Sequence, residues 1–283
     1  MNKYVRVLRP EQWYKNIIVF LPLVFTGNLL NFSLYPHLLV SFLMLCLVSG
    51  IVYLTNDILD YERDRVNPEK KHRPIASGEI SLSKAKLYLT LLSVLSLVLT
   101  DVLYKVSKIS SVFLALLLAN GALYSFFFKR HQLADIISIS FNYVLRVLQG
   151  YSASGIDIDK CLLTCVFSFA IMMSSGKRIG EYQLLKERSI RHRSSLTKEY
   201  FQLLEKMLYI SCSVFIMSFM MVLENLSILI APLLFYLVGK YISFLYKDPY
   251  KVRHPHTLFE DKAFRCVFIS TCLLILLAMV CIP

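Results

Sequence analysis

Long apolar segments constrain the fold of this chain more than any other feature. A transmembrane helix needs about 20 consecutive, mainly apolar residues. Because backbone polar groups cannot remain unpaired in hydrocarbon, helices that satisfy them internally are the expected solution. We therefore predict an all-α protein, a polytopic membrane bundle of about nine transmembrane helices. The candidate segments are about 16–30, 38–55, 84–104, 108–128, 133–151, 160–176, 206–223, 227–246 and 264–282.

The composition supports this fold class. Hydrophobic residues make up 56% of the 283 residues. The seven cysteines lie almost wholly inside the apolar segments and form no C-x-x-C pair, so they are interpreted as small buried hydrophobes. No basic stretch has the pattern of a nucleic-acid-binding module, and we expect no nucleic-acid partner. We predict a single domain, 1–283, with cytoplasmic cap loops at about 56–83 and 177–205.

The distribution of Lys and Arg predicts the orientation in the membrane. If the N terminus is cytoplasmic, almost all basic residues fall in loops on one side, and the other side holds only Lys105, Lys108 and Lys160. We therefore expect a multi-pass protein of the cell (cytoplasmic) membrane with its N terminus and active site in the cytoplasm and its C terminus outside. We expect the first apolar segment to be retained, because no small-residue cleavage pattern follows it.

An acidic cluster interrupts the otherwise apolar and basic sequence at 56–64, where the residues read N-D-x-x-D-x-x-x-D. On a helix Asp57, Asp60 and Asp64 share one face, with Asn56 beside them. Hard oxygen ligands suit Mg²⁺, which normally takes one or two carboxylates together with substrate phosphates. We predict that these four residues bind Mg²⁺ and, through it, a diphosphate. The alternative is a merely solvated acidic surface.

Basic residues near the predicted membrane boundary are candidates for binding phosphate oxygens that the metal leaves free. Arg146 lies well inside the fifth apolar segment, where an Arg must face the bundle interior, pair with an acid such as Asp135, or hold an anion. Lys177 and Arg178 directly follow the sixth segment, whereas the later basic residues of that loop suggest a solvated face. Lys15 is explained equally well as a ligand or as a positive-inside anchor.

The acidic motif, together with nine predicted spans, resembles the UbiA superfamily of intramembrane prenyltransferases, and within it the decaprenyl-phosphate phosphoribosyltransferase branch. The stretches similar to that branch are Arg9-Pro10, Gln12-Trp13, Lys15-Asn16, Arg73 to Gly78, Tyr124-Ser125, Lys129, Arg146 and Gly176-Lys177-Arg178 with Glu181. The resemblance implies a Mg²⁺-dependent transfer of 5-phosphoribose from phosphoribosyl pyrophosphate to a polyprenyl phosphate, with release of diphosphate.

The resemblance also implies roles for individual residues. Asp57, Asp60 and Asp64 would be catalytic. Together with the charge argument, the resemblance implies a set of substrate-binding residues from several segments. The predicted set is Lys15, Asn16, Lys71, Arg73, Tyr124, Lys129, Arg146, Lys177, Arg178 and Glu181.

The chain departs from the pattern of ordinary prenyl-diphosphate users after its sixth apolar segment. Those enzymes resemble each other in a second Asp-rich motif, whereas residues 176–181 here read Gly-Lys-Arg-Ile-Gly-Glu. A lipid phosphate acceptor is an anion that needs cationic neighbours, so the change favours the phosphoribosyl interpretation. One alternative is an aromatic prenyltransferase of the quinone-biosynthesis type, which would be expected to have the second motif. Another is a transporter or flippase, which would be expected to place ionisable residues at mid-membrane on several spans.

Overall fold

The computed structural model describes residues 2–106, 108–186 and 198–281. Within these ranges all regular structure is helical, and no β-strand occurs. Seven helices of this part of the chain are long and apolar enough to cross a membrane. The predicted membrane helical bundle is thereby confirmed. The candidate spans are Phe32–Leu59, Leu82–Asp101, Lys108–Phe126, Lys160–Leu184, Glu199–Leu223, Ser227–Lys247 and Lys262–Val280.

Twelve α-helices are present in the described residues, joined in places by short 3₁₀ helices. In chain order they are α1 (Lys3–Arg6), α2 (Leu21–Phe25), α3 (Tyr35–Leu59), α4 (Tyr61–Val66), α5 (Leu82–Val106), α6 (Lys108–Phe126), α7 (Gln132–Ser154), α8 (Lys160–Lys186), α9 (Lys198–Leu223), α10 (Ser227–Lys247), α11 (Pro249–Arg253) and α12 (Lys262–Cys281). The 3₁₀ helices are Pro10–Phe20, Phe32–Leu34, Phe128–Arg130, Glu224–Leu226 and Pro255–Glu260.

Contacts among the described residues divide the chain into two compact units. Helix α7 contributes its first part to unit 2 and its last part to unit 1. The single domain proposed from the sequence therefore stays a prediction. Unit 1 comprises Met1–Pro22, Asn31–His131 and Leu145–Ile158, and unit 2 comprises Leu23–Leu30, Gln132–Val144 and Asp159–Pro283.

The first predicted span, 16–30, does not form one long helix. The chain instead forms the 3₁₀ helix Pro10–Phe20 and then the five-residue helix α2. Pro22 lacks the backbone N–H that a continuing α-helix would use, and Gly27 adopts a left-handed conformation with φ 68°. Mean hydropathy does not register such backbone breaks, which is why the segment resembled a span.

The predicted span at 133–151 does form a helix, α7, but it is too polar to be among the seven apolar candidates. Two of its polar side chains, Arg146 and Gln149, are buried. Gln149 Nε2 donates hydrogen bonds to the hydroxyl oxygens of Ser41 at 3.2 Å and Ser110 at 2.5 Å. The last part of α7 therefore directs these two polar side chains into unit 1, where their nitrogen donors find hydrogen-bond acceptors.

The segment between α3 and α5 in unit 1 is folded around a small apolar core. Ile75 and Ile80 are buried there against Val7 of the N-terminal segment and Leu54 of α3. The Ile80 N–H donates to the Pro74 carbonyl oxygen at 2.9 Å, which closes the loop between them. This packing fixes the backbone of the segment that carries the basic residues of the site.

The core of unit 2 is formed by α8, α9, α10 and α11. Buried side chains from each of these helices pack together, among them Met172, Leu208, Tyr241 and Val252. Ile136 of α7 joins the same cluster. The end of α8 that carries residues 176–181 is thus held by packing against its neighbours within the unit.

Candidate active site

The acidic cluster lies at the junction of α3 and α4 in unit 1. Asp57 is in the last turn of α3, Asp60 follows the end of that helix, and Asp64 lies on α4. The i to i+4 hydrogen bonding of a helix is kept at the junction, since the Asp64 N–H donates to the Asp60 carbonyl oxygen at 2.8 Å. Asp57 and Asp64 are only 3% and 2% exposed. Two buried carboxylates of one cluster require cationic partners.

Arg73 bridges the two buried carboxylates. Its Nη1 donates to Asp57 Oδ1 at 3.1 Å and to Asp64 Oδ2 at 2.5 Å. Lys70 Nζ lies 3.6 Å from Asp64 Oδ1. Because Arg73 comes from the folded segment between α4 and α5, the packing of that segment positions the cation on the acids.

Asp60 has a separate cation partner, Lys129. The Lys129 Nζ donates to Asp60 Oδ1 at 2.8 Å. Lys129 belongs to the 3₁₀ helix that follows α6, so a distant part of unit 1 completes the cluster. Arg73 and Lys129 were both predicted to bind substrate phosphate, and the structure brings both of them to the aspartates.

Arg9 is a member of this cluster that sequence reasoning missed. Its guanidinium forms an ion pair with Asp57 and lies over the Tyr53 ring, 5.2 Å from the ring centroid. The Arg9 backbone is left-handed, with φ 53°, which is unfavourable for a residue with a Cβ. The only sequence signal was the Arg9-Pro10 pair within the resemblance, and nothing local connected it to an acid 48 positions away.

The cluster fits a magnesium ion by the chemistry of its donors. Asn56 Oδ1 is buried and has no hydrogen-bond partner in the structure. It belongs to the same N-D-x-x-D-x-x-x-D motif as the three carboxylates, and Mg²⁺ prefers such hard oxygen ligands. Within the described residues no group of three His, Cys, Asp or Glu side chains is gathered closely enough to hold a metal. Arg9, Arg73 and Lys129 contact the aspartate oxygens in the structure, so a metal bound by the cluster would compete with these cations.

Arg146 and Asn16 form a buried hydrogen-bonded pair in unit 1. Arg146 Nε donates to Asn16 Oδ1 at 2.8 Å, and its Nη2 donates to Ser49 Oγ at 3.3 Å. Asn16 Nδ2 also lies 3.3 Å from Cys46 Sγ. Both residues thus contribute to the packing of unit 1, and their predicted contact with substrate stays a prediction.

We expect Arg146→Leu to lower the melting temperature of the ligand-free protein. The substitution removes the shorter of two hydrogen bonds to the buried Asn16 Oδ1 and leaves only the 3.4 Å bond from Ser49 Oγ. Loss of a buried hydrogen bond of this kind costs about 1–3 kcal/mol. Asn16→Leu alone should also destabilise, whereas the double variant should lose less than the sum of the two. A double-mutant cycle on thermal unfolding in detergent measures this coupling, and additive losses would contradict it.

Asp135 pairs with a different arginine from the one suggested by the sequence. In unit 2 its Oδ2 lies 2.5 Å from Arg178 Nη2, and Arg178 Nη1 donates to Glu181 Oε2 at 2.7 Å. The alternative in which Asp135 balances Arg146 is therefore not supported. Sequence spacing could not select the partner, because the pairing depends on how α7 and α8 pack.

Two glycines of α8 explain part of the motif at 176–181. A Cβ at Gly180 would lie 2.8 Å from the Pro249 carbonyl oxygen, and one at Gly176 would overlap the Tyr241 hydroxyl. The two glycines are one turn apart, so they form a flat surface on which α11 and α10 approach α8. The glycines therefore determine how the basic residues between them are held.

Gly180→Ala should lower the free energy of unfolding by about 1–3 kcal/mol, because the added methyl overpacks against the Pro249 backbone. Gly239→Ala is the matched control, since a Cβ at Gly239 in α10 meets nothing within 4 Å. The control should be stabilising by up to about 1 kcal/mol through helix propensity. Thermal unfolding of the two variants in the same detergent makes the comparison. Equal effects would contradict the packing role.

The remaining predicted site residues lie in more open positions. Lys71 and Lys177 are exposed, and Lys15 and Tyr124 are partly buried. Lys15 Nζ lies 5.9 Å from the centroid of the neighbouring Tyr14 ring. The later basic residues of the second predicted cap loop, Arg188, Arg191 and Arg193, lie outside the described residues.

Fold and site together define a multi-pass, all-helical membrane protein with a buried aspartate cluster at the end of one membrane span. A sequence model of the UbiA prenyltransferase family matches residues 17–271, and the chain belongs to that family. The family resemblance noted from the sequence is confirmed.

Two similar proteins have names that are more specific than the family name. The chain is 30% identical to a decaprenyl-phosphate phosphoribosyltransferase of Mycolicibacterium smegmatis over 196 residues, 68% of this chain and 61% of the relative. It is 32% identical to the protein of that name from Mycobacterium tuberculosis (strain H37Rv) over 198 residues, 68% of this chain and 64% of the relative. The match thus spans less than two thirds of the relatives' length.

A solved structure agrees with the fold. A UbiA homologue from Archaeoglobus fulgidus, bound to DMAPP and Mg²⁺, superposes with a TM-score of 0.66 at 19% identity. The superposition covers 100% of both chains. At this identity the likeness supports the fold of the chain.

Proposed function

We propose that this protein is a membrane phosphoribosyltransferase. It would move 5-phosphoribose from phosphoribosyl pyrophosphate to a decaprenyl-type polyprenyl phosphate and release diphosphate. The observation that carries the proposal is the basic character of residues 176–181, where Lys177 is exposed next to Arg178. An anionic acceptor needs cations there, whereas an aromatic acceptor does not. The names of the two mycobacterial relatives agree with this assignment.

The aspartate cluster of unit 1 would bind the donor. Asn56, Asp57, Asp60 and Asp64 would hold Mg²⁺, which when bound stabilises the negative charge that develops on the leaving diphosphate. The Mg²⁺-bound archaeal homologue of the same fold supports this choice of ion. The chain's own cations now paired with the carboxylates would be free to contact phosphate oxygens once the metal neutralises the acids.

Arg9, Arg73 and Lys129 are the cations that this exchange would release. All three contact an aspartate of the cluster in the structure. They would bind the diphosphate and the 5-phosphate of the donor and fix the position of ribose C1. Holding the donor in one orientation lowers the entropic part of the barrier to transfer.

The transfer itself needs no general base. The bond from ribose C1 to diphosphate breaks, and a new bond forms from C1 to an oxygen of the lipid phosphate, which is already ionised at neutral pH. Glycosyl transfers of this kind pass through an oxocarbenium-like transition state. In unit 2, Lys177 and the nearby Arg178 would neutralise the charge of the acceptor phosphate.

An aromatic prenyltransferase is the second candidate. It would use acids in the region of Lys177 to hold a second metal. The acids described there are Asp135 and Glu181, and both contact Arg178. Residues 176–181 also lack the second Asp-rich motif expected of such an enzyme, which favours the phosphoribosyl assignment.

One assay tests the proposal directly. Purified protein in detergent with Mg²⁺ is offered labelled phosphoribosyl pyrophosphate and decaprenyl phosphate, and in parallel a prenyl diphosphate with an aromatic acid. We expect a labelled lipid and free diphosphate in the first reaction, and their loss when EDTA removes the metal. Prenylation of the aromatic acid without formation of the labelled lipid would overturn the assignment.

We also propose that the N terminus and the aspartate cluster face the cytoplasm. In a cysteine-free background, Lys71→Cys should be labelled by a membrane-impermeant reagent only from the cytoplasmic side, and Asp157→Cys only from outside. Both positions are exposed in the structure. Labelling of whole cells compared with inverted vesicles makes the measurement. The reverse pattern would place the cluster away from a cytosolic donor. Ser195, another position suited to this test by sequence, lies outside the described residues.

A further inference from the structure

The backbone of Arg9 is held in a conformation that its sequence does not favour. Its φ of 53° and ψ of 63° lie in the left-handed region, which is unfavourable for a residue with a Cβ. Pro10 follows it, and a residue before proline normally adopts an extended conformation. Backbone outliers of this kind persist where the surrounding structure holds them, and they cluster at functional sites. Contacts on both sides of Arg9 must therefore maintain its conformation.

The chain before and after Arg9 is anchored within unit 1. Lys3 Nζ donates to the Glu79 carbonyl oxygen at 3.1 Å, and Arg6 forms an ion pair with the Glu79 carboxylate. On the other side, the Gln12 N–H donates to the Arg9 carbonyl oxygen at 2.8 Å. These contacts fix the backbone of Arg9. The direction of its long side chain still depends on the groups that contact the guanidinium.

Two side chains of α3 contact the Arg9 guanidinium. Asp57 forms an ion pair with it, and the centroid of the Tyr53 ring lies 5.2 Å from the Arg9 Cζ. Tyr53 and Asp57 are four residues apart in α3, so they lie one turn apart on the same face of the helix. A cation within about 6 Å of a ring centroid is attracted by the negative face of the ring. The guanidinium therefore has one charged and one uncharged partner.

The two partners differ in what they can do once the donor is bound. In the proposed function Asp57 binds the metal and releases Arg9, whereas the uncharged Tyr53 ring is not a ligand for a metal. We infer that Tyr53 is a positioning residue, which keeps the Arg9 guanidinium directed at the donor phosphates after Asp57 has released it. The inference rests on the proposed function. It gives the donor site a residue outside the acidic motif.

The geometry gives this role to the ring of Tyr53 and not to its hydroxyl. A planar guanidinium stacks well on an aromatic face, which any phenyl ring provides. Arg146 is also close enough to interact electrostatically with Tyr53, but its Nε and Nη2 donate hydrogen bonds to Asn16 and Ser49. Sequence reasoning counted Tyr53 only as part of the apolar span 38–55, because its role depends on an arginine far away in the sequence.

Steady-state kinetics of Tyr53→Leu and Tyr53→Phe test the inference. For Tyr53→Leu we expect the KM for phosphoribosyl pyrophosphate to rise about three- to thirty-fold, which corresponds to the loss of a cation–π contact. The KM for decaprenyl phosphate should change less than about two-fold. Tyr53→Phe keeps the ring and should retain both KM values of the parent. A merely structural role would reduce the amount of active enzyme, and hence the turnover number, without raising one KM.

Tyr61→Leu is the matched control. The centroid of the Tyr61 ring, on α4 beside the cluster, lies 5.4 Å from the Arg65 Cζ, so this tyrosine makes a contact of the same kind. Arg65 is exposed and has no part in the proposed donor site. Both KM values of Tyr61→Leu should equal those of the parent. A rise in the donor KM as large as that of Tyr53→Leu would show a general effect of losing a ring near the cluster and would overturn the inference.

A double-mutant cycle shows whether Tyr53 acts through Arg9. Arg9→Gln alone should raise the KM for phosphoribosyl pyrophosphate. Adding Tyr53→Leu to Arg9→Gln should raise this KM further by less than about two-fold, because the guanidinium that the ring positions is already gone. If Tyr53→Leu raises the KM by the same factor in both backgrounds, the two residues act independently and the inference is wrong.

Trifluorophenylalanine incorporated at position 53 provides a second test, which holds even if Tyr53→Leu does not fold. It has nearly the shape of phenylalanine, but its fluorines withdraw electron density from the ring face and weaken the attraction for a cation. The KM for phosphoribosyl pyrophosphate should be higher than that of Tyr53→Phe. Equal values would overturn the inference. A donor KM of Tyr53→Phe as high as that of Tyr53→Leu would also overturn it, because the hydroxyl would then be the group that acts.

Failure of this inference can be distinguished from failure of the proposed function. If the parent enzyme forms no phosphoribosylated lipid, the proposed function is wrong and the inference falls with it. If the parent forms the product and Tyr53→Leu has an unchanged KM for the donor, only the role of Tyr53 is wrong. An equal rise of the donor and acceptor KM values would also overturn the assignment to the donor.

Discussion

Asp57→Asn should lower the turnover number about 100- to 1000-fold, which is the usual effect of removing one group that stabilises transition-state charge. Asn has nearly the volume of Asp but lacks the charge that would hold the metal. The protein should still fold, because the side chains of Arg9 and Arg73 that face Asp57 are 22% and 28% exposed and can be solvated when the carboxylate is lost.

The measurement is turnover over a range of Mg²⁺ concentrations, together with the melting temperature of each variant. Glu62→Gln is the control, since Glu62 is an exposed acid on α4 beside the cluster. It should retain the activity of the parent. Parent-like turnover of Asp57→Asn at limiting Mg²⁺ would rule out Asp57 as a metal ligand.

Arg73→Gln should produce the largest loss of stability among the site variants. Arg73 is the one described cation that contacts both buried carboxylates, Asp57 and Asp64. Removing one partner of a buried ion pair costs about 3–5 kcal/mol. We expect the lower end of this range, because Arg73 is partly exposed and Arg9 and Lys70 still contact the acids.

Magnesium should partly reverse this loss. If guanidinium and metal compete for the same oxygens, Mg²⁺ should raise the melting temperature of Arg73→Gln more than that of the parent, because binding to the folded state stabilises it. Arg63→Gln, at an exposed position on α4, is the control and should behave as the parent does. No difference in the response to Mg²⁺ would contradict the competition.

The sequence was sufficient to predict most of the helical architecture, because length and apolarity of a segment are local properties. It misjudged 16–30, where Pro22 and the left-handed Gly27 interrupt the backbone of an otherwise apolar segment. Helix α7 was located correctly although its polar residues lower its hydropathy. Polar residues buried within a bundle lower the mean hydropathy by which membrane-spanning helices are recognised in a sequence.

The candidate site could be predicted only in part. Asp57 and Asp64, which helical spacing predicted on one face, both contact Arg73, whereas Asp60 pairs separately with Lys129. The choice of ionic partners was not predictable, because it depends on which segments pack together. Arg9 pairs with Asp57, which is 48 positions away in the sequence. Asp135 pairs with Arg178, although Arg146 is closer to it in the sequence.

The division of α7 between the two units has a consequence for biosynthesis. Unit 1 needs residues 145–158, which the ribosome produces only after the first part of α7 has been made for unit 2. Arg146, the hydrogen-bond partner of Asn16, lies 130 positions later in the chain. It is therefore synthesised roughly ten seconds after Asn16. A nascent chain that ends at His131 contains the whole aspartate cluster with its cations but lacks Arg146 and Gln149, the hydrogen-bond partners of Asn16, Ser41 and Ser110. Such a fragment should depend on the insertion machinery to shelter Asn16.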